Sequence, residues 1–268
     1  MNILVLGDLV GLSGREALKK NLAKIIKDFQ VDFTIINGEN SADDGHGIPV
    51  SVAKEFFSLG VDVITSGNHI WDKEETTSYI EIENRLLRPA NLVHGSPGKG
   101  FGIFISKDKK FRVGVINLMG NIFMRKTEDV FKTAHEISKK IVLKKNVDFS
   151  IVDFHGETAS EKMAIGHFFD GKSTCVIGTH THVPTSDTRI LNKGTAYQTD
   201  IGMCGDYNSV IGFNKENSLK KFFKEKDALK HFPADGEGTL SGVIVEANTD
   251  TGLAKKISRL TIGGSLIK

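Results

Sequence analysis

Only two cysteines occur in the 268 residues, Cys175 and Cys204, both in apolar or glycine-rich surroundings. That excludes a disulfide framework, and the pair is expected as reduced thiols of a cytoplasmic protein. An excess of either charge is also missing: 35 Lys and Arg against 33 Asp and Glu leave a net +2. A nucleic-acid coat or a polybasic membrane binder needs more, so neither DNA nor a membrane is an expected partner. No apolar run approaches the ~20 residues that span a bilayer. The start, Met1 to Asp8, has no basic stretch and reaches an acidic residue too early for a signal peptide. Proline is scarce at 5 and glycine abundant at 28, with no linker, repeat or low-complexity tract. Residues 1–268 are therefore expected to form a single α/β domain.

What is present is an alternation of apolar strands and amphipathic helices. Ile3 to Leu6 halts at Gly7-Asp8, and Gly14 to Gln30 carries Ala17, Leu18, Leu22, Ile25, Ile26 and Phe29 at helical spacing. A second strand, Phe33 to Asn37, runs into Gly38-Glu39-Asn40, and Pro49 to Leu59 reads as a helix with proline in its first turn. The third strand, Val61 to Thr65, ends at Ser66-Gly67-Asn68-His69, and a helix is expected after Lys73. From about Gly100 the runs Phe101 to Ser106 and Phe111 to Leu118 suggest a hairpin into a second sheet. Helices are predicted over Thr127 to Leu143, Ala159 to Phe169 and Asn217 to Lys230. Strands are predicted at Val147 to Asp153, Ser173 to Ile177, Thr188 to Leu191, Gly194 to Gln198, Leu240 to Glu246 and Lys256 to Ile262. Such an alternation builds mainly parallel sheets, which collect ligands beyond the carboxyl ends of their strands.

Those ends carry Asp8, Glu39 with Asn40, Asn68 with His69, His155, and the pair His180 and His182 in Gly178-Thr179-His180-Thr181-His182. In extended backbone residues two apart face the same way, so His180 and His182 are expected to aim at one neighbourhood. Carboxylates, amide oxygens and imidazoles together suit iron, manganese or zinc better than calcium or a thiolate zinc site. The set is too large for one ion, and a carboxylate such as Glu39 can bridge two. Two cations facing two carboxylates leave a local positive site for a phosphoester that the near-neutral chain as a whole does not provide.

In order and residue type, Gly7-Asp8, Gly38-Glu39-Asn40, Gly67-Asn68-His69, His155 and Gly178 to His182 resemble the motifs of the calcineurin-like metallophosphoesterases. The Gly7 to Gly11 start, Asn37 to Asn40 and Thr199-Asp200-Ile201-Gly202-Met203 resemble more closely the bacterial YmdB-type branch; the likeness runs from Gly7 to about Gly212. It implies a four-layer α/β/β/α sandwich, two central mixed sheets covered by helices. It also implies hydrolysis of small cyclic nucleotides, 2′,3′-cyclic and also 3′,5′-cyclic forms, by a hydroxide bridging two metal ions. Where the wider superfamily has a metal-binding histidine two positions after the first aspartate, this chain has Val10. The branch implies that Asn40 fills that vacancy. One ion is then assigned to Asp8, Glu39, Asn40 and His182, and the other to Glu39, Asn68, His155 and His180. An amide oxygen in place of imidazole favours iron or manganese over zinc.

His69, left without a metal, is assigned as general acid to the departing ribose oxygen. His46 and Phe123 are placed on the substrate rim, where Met119 and Asn121 could join them and Phe123 could stack on a base. His94, His135, His167 and His231 read as solvated or structural, and Thr199 to Gly212 as architectural. Two other functions use the same residues: a phosphomonoesterase such as a nucleotidase or protein phosphatase, and a nucleotide-binding regulator with little turnover. Self-association is left open.

Overall fold

Alternation of side chains along the strands sets the layers. In the computed structural model, which describes residues 1–266, β1 (Asn2–Val10) sends Leu4 and Leu6 to one face and Ile3 and Val5 to the other, all buried. Leu4 and Leu6 pack with Leu18, Leu22 and Ile25 of α1 (Gly11–Asp28) and with Val52, Ala53 and Phe56 of α2 (Val50–Ser58). Ile3 and Val5 instead meet Val113 and Val115 of β5 (Arg112–Met119), Phe149 and Ile151 of β6 (Phe149–His155) and Ile177 of β7 (Cys175–Thr179). A third core lies beyond the second sheet. There Ile116 and Leu118 contact Val130, Ala134 and Ile137 of α4 (Val130–Ser138), and Val152 and Val176 pack with Ile165 and Phe169 of α5 (Ala159–Phe169). Three apolar layers between four layers of structure make the expected α/β/β/α sandwich.

The first sheet holds β1, β2 (Phe33–Asn40), β3 (Val63–Thr65), β10 (Met203–Cys204), β11 (Leu240–Ala247) and β12 (Ala254–Ile262). Its order is β12-β11-β1-β2-β3, with β10 paired to the end of β1. β1, β2, β3 and β10 are parallel, and β11 is antiparallel to both its neighbours. The second sheet, β4-β5-β6-β7-β9-β8, opens with the expected hairpin of β4 (Phe101–Ile105) and β5. It closes with β8 (Arg189–Ile190) antiparallel to β9 (Ala196–Gln198). β5, β6, β7 and β9 run parallel. α3 (Glu74–Ile82) follows Lys73 as predicted.

Three helices differ in extent from the sequence expectation. α1 starts at Gly11, directly on the strand, and α4 begins only after Asp129, whose side chain caps it by accepting from the Lys132 amide. α6 (Lys215–Phe222) stops eight residues short of Lys230. Lys224 turns left-handed at φ 57°, and the Asn217 side chain binds the backbone of Leu229 and Lys230, folding that segment back. Pro49 is the N-cap of α2 and does not lie inside its first turn. No helix among the described residues is long and apolar enough to cross a membrane. Cys175 and Cys204 are free and buried. Ile267 and Lys268, inside the 1–268 expected for the domain, lie outside the described residues.

Candidate metal centre

β1, β2 and β3 of one sheet and β6 and β7 of the other end on the same side of the sandwich, and the predicted residues meet there. His155 Nε2 stands 2.9 Å from Glu39 Oε1, 3.1 Å from Asn68 Oδ1 and 3.1 Å from His180 Nδ1. One ring nitrogen cannot serve three such partners by hydrogen bonding. Edges of about 3 Å are what ligands at roughly right angles make around an ion with bonds of ~2.1 Å. Among the described residues, Glu39, His155 and His180 form the carboxylate and imidazole group close enough to hold an ion, and Asn68 adds its amide oxygen.

Asp8, Asn40 and His182 lie outside that tight group but border it. Asp8 Oδ1 is 3.6 Å from His155 Nδ1, Asp8 Oδ2 accepts the His180 amide, and His182 lies near enough to favour the ionised form of Asp8. Two buried acceptors here have no hydrogen-bond partner: Asp8 Oδ1 and Asn40 Oδ1. Asn40 spends its amino group on the Gly45 carbonyl, which leaves the oxygen free. Orphaned buried acceptors are costly, and a bound cation is one partner that would satisfy such an oxygen. The residues present therefore fit a metal held by Glu39, His155 and His180, with Asn68 beside them. Val10, where a histidine is absent, is buried and packed against Gly205 and Gly212.

The histidines are oriented by partners that the sequence did not announce. His155 Nδ1 is bonded to Thr179 Oγ1, which donates to Asp153. His180 Nε2 faces Glu157 at 3.2 Å, and His182 Nδ1 donates to the Ile211 carbonyl at 2.7 Å. Each ring thus commits one nitrogen outward and keeps the other for the centre, the arrangement that fixes tautomers at metal sites. Gly67 is needed for close approach: a Cβ there would lie 2.1 Å from His155 Cδ2 and 2.4 Å from Glu39 Oε2.

One expectation is corrected. His180 and His182 do not continue the strand; β7 ends at Thr179, and both histidines have left-handed backbone, φ 99° and 65°. The turn directs His180 to His155 and His182 to the Ile211 carbonyl, so period-two geometry does not apply.

Without metal the cluster is a charge network. Burial pushes Asp8 up to about 6 against the pull of His182 and His155. Burial also works against Glu39, but His155 outweighs it, with His69 and His180 behind, and holds the carboxyl down at about 2. His155 is pushed down by burial yet raised to about 9 by Glu39, Asp8 and Asp153. His180, desolvated and next to that charge, falls to about 3.

His69 sits at the edge. Its amide donates to Glu39 Oε2, and its Nδ1 lies 2.6 Å from Asp72 Oδ2, leaving Nε2 uncommitted. Arg125 approaches the other Asp72 oxygen at 3.6 Å. His46 packs edge-on against His69, ring centres 4.7 Å apart, with its Nδ1 on the Asp44 carbonyl and Phe213 on its far side. Phe123 is 87% exposed at φ 59°, two residues before Arg125. Met119 is instead buried and Asn121 caps α4 through Val130, so these two are structural.

The family model of YmdB-like proteins matches residues 4–260. A 2′,3′-cyclic-nucleotide 2′-phosphodiesterase of Bacillus subtilis (strain 168) is 41% identical over 262 residues, 98% of this chain and 97% of that protein. A crystal structure of a hypothetical protein from Thermus thermophilus superposes with a TM-score of 0.89 at 33% identity, covering 99% of this chain and all of the other. That of a novel phosphatase from Mycoplasma pneumoniae also reaches 0.89, at 35% identity, over 98% and 93%. The chain belongs to the YmdB-like family of the calcineurin-like metallophosphoesterases and is a metal-dependent phosphoester hydrolase.

Proposed function

We propose that residues 1–268 act as one dinuclear phosphodiesterase domain that opens small cyclic nucleotides, 2′,3′-cyclic forms foremost. The observation that supports the reading is the buried Glu39 carboxylate, 2.9 Å from His155 Nε2 within a cluster of oxygen and nitrogen donors. Asn68, His155 and His180 are assigned to one ion, and Asp8 and Asn40, with their orphaned oxygens, and His182 to the other. When bound, two ions, iron or manganese before zinc, would supply an activated water and neutralise phosphoryl charge.

The chain's own groups do the rest. Glu39, fully ionised and buried, is shared between the two ligand sets. Asp72 holds the His69 ring by Nδ1, so that its Nε2 can deliver a proton to the departing ribose oxygen. Nothing in the ligand set requires a covalent enzyme intermediate. His46 and exposed Phe123 would border the bound nucleoside. The cytoplasm is the proposed setting, where buried Cys175 and Cys204 stay reduced.

The relative from Bacillus subtilis carries the phosphodiesterase description, which favours diesters over the phosphomonoesterase alternative. The test is turnover of 2′,3′- and 3′,5′-cyclic nucleotides against nucleoside monophosphates with added manganese. Cyclic diesters are expected to dominate. Faster monoester hydrolysis would overturn the proposal, and nucleotide binding without hydrolysis would leave a regulator.

A further inference from the structure

Between the two metal-site histidines stands Thr181, and behind it lies an ion pair that the proposed chemistry does not use. Lys162 of α5 is 2% exposed and Asp200 1%, with Lys162 Nζ 2.7 Å from Asp200 Oδ2. A buried pair of this kind repays its desolvation only when further hydrogen bonds complete it. Here they converge on the histidine turn. Asp200 Oδ2 accepts the Thr181 amide at 3.1 Å and the Thr181 hydroxyl at 2.7 Å, and Oδ1 accepts the Gly202 amide at 2.8 Å.

The turn needs such a hold. The β7 ladder has ended, and His180 and His182 both occupy backbone that side chains rarely adopt, a conformation that persists only where its surroundings over-determine it. On one side the His180 amide is tied to Asp8; the middle residue is tied to Asp200 alone. Asp200 is itself fixed, because its segment crosses from β9 in one sheet to β10 in the other, past the ends of β7 and β1. The Ile201 amide donates to the Gly178 carbonyl. A Cβ on Gly7 would lie 1.8 Å from the Gly202 carbonyl oxygen, and one on Gly178 equally close to that of Thr199. The brace is therefore pressed onto β1, which carries Asp8, and onto β7, which leads into the histidine turn.

We propose that Asp200, with Lys162 as its counter-ion, is a positioning residue that sets the angle between His180 and His182 and thereby the geometry of both metal positions. The inference rests on the dinuclear reading. It also gives a role to the Thr199 to Met203 segment, which the sequence offers only as architecture.

The experiment uses metal-depleted full-length protein, wild type and the variants Asp200→Asn and Thr181→Val, with Mn²⁺ counted by electron paramagnetic resonance and Co²⁺ followed by its visible absorption. Loss of an outer partner at a metal site costs roughly 10–100-fold in metal affinity. Both variants are expected to weaken Mn²⁺ binding by that order and to shift the Co²⁺ bands while keeping the wild-type circular dichroism. Folded variants with wild-type Mn²⁺ affinity and Co²⁺ spectrum, altered only in melting temperature, would overturn the proposal. Should Asp200→Asn fail to fold, Thr181→Val, which removes one hydroxyl, decides alone. Wild-type protein that takes up neither ion would instead sink the metal reading beneath it.

Discussion

Glu39→Gln removes one charge from the middle of the cluster and keeps the side chain's shape. In metal-free protein the His155 proton is held to about 9, chiefly by Glu39. A histidine whose folded pKa exceeds its unfolded value near 6.5 stabilises the fold fully below that value, and the stabilisation is lost as pH rises through about 9. The gap between about 6.5 and about 9, at ~1.4 kcal/mol per pH unit, is roughly 3 kcal/mol. Glu39, 2.9 Å away, supplies the larger share of it. Chelator-treated Glu39→Gln should therefore be less stable than wild type by about 2 kcal/mol at pH 6. At pH 10, where the carboxylate faces a neutral ring and its burial is uncompensated, the deficit should vanish or reverse. Urea unfolding at the two pH values measures this directly. A deficit of equal size at both would refute the reasoning, because it would mean that Glu39 stabilises by packing and not through the His155 charge.

His69→Ala is expected to retain metal and lose ~10²–10⁴-fold in turnover, the usual contribution of a general acid; loss of an ion on elemental analysis would make His69 a ligand. Metal uptake must displace the His155 proton. Apparent Mn²⁺ affinity should therefore drop about tenfold per pH unit below about 9, and more steeply below about 6, where Asp8 also binds a proton. Calorimetric titrations that give the same affinity at pH 6 and pH 8 would contradict this. Gly67→Ala places a methyl carbon where His155 and Glu39 already stand, so the variant should fold less stably and bind metal at least tenfold more weakly. Unchanged metal content would show that the backbone there yields freely.

The residues at the strand ends were legible because short apolar runs fix where a strand stops, and polar groups just beyond must gather at one edge of a parallel sheet. The same alternation points to mainly parallel sheets, and the four layers follow from the family resemblance. The sequence carried no sign of the outward partners. Thr179, Glu157, Asp72 and the Ile211 carbonyl acquire meaning only when the loops bring them to a ring nitrogen. β10 has two residues, too few for any pattern, yet it is where the chain returns to the first sheet. α6 is shorter than its sequence pattern suggests because Asn217, a helical residue by position, captures the downstream backbone with its side chain. Nothing in Thr-His-Thr-His announces the left-handed backbone of His180 and His182.

In the proposed centre Glu39 lies between two cations. Anomalous diffraction from crystals of the manganese-loaded protein tests it most directly. The account predicts two peaks per chain, one among Asn68, His155 and His180 and one beside Asp8, Asn40 and His182, with Glu39 touching both. A single peak, or density away from Glu39, would contradict it.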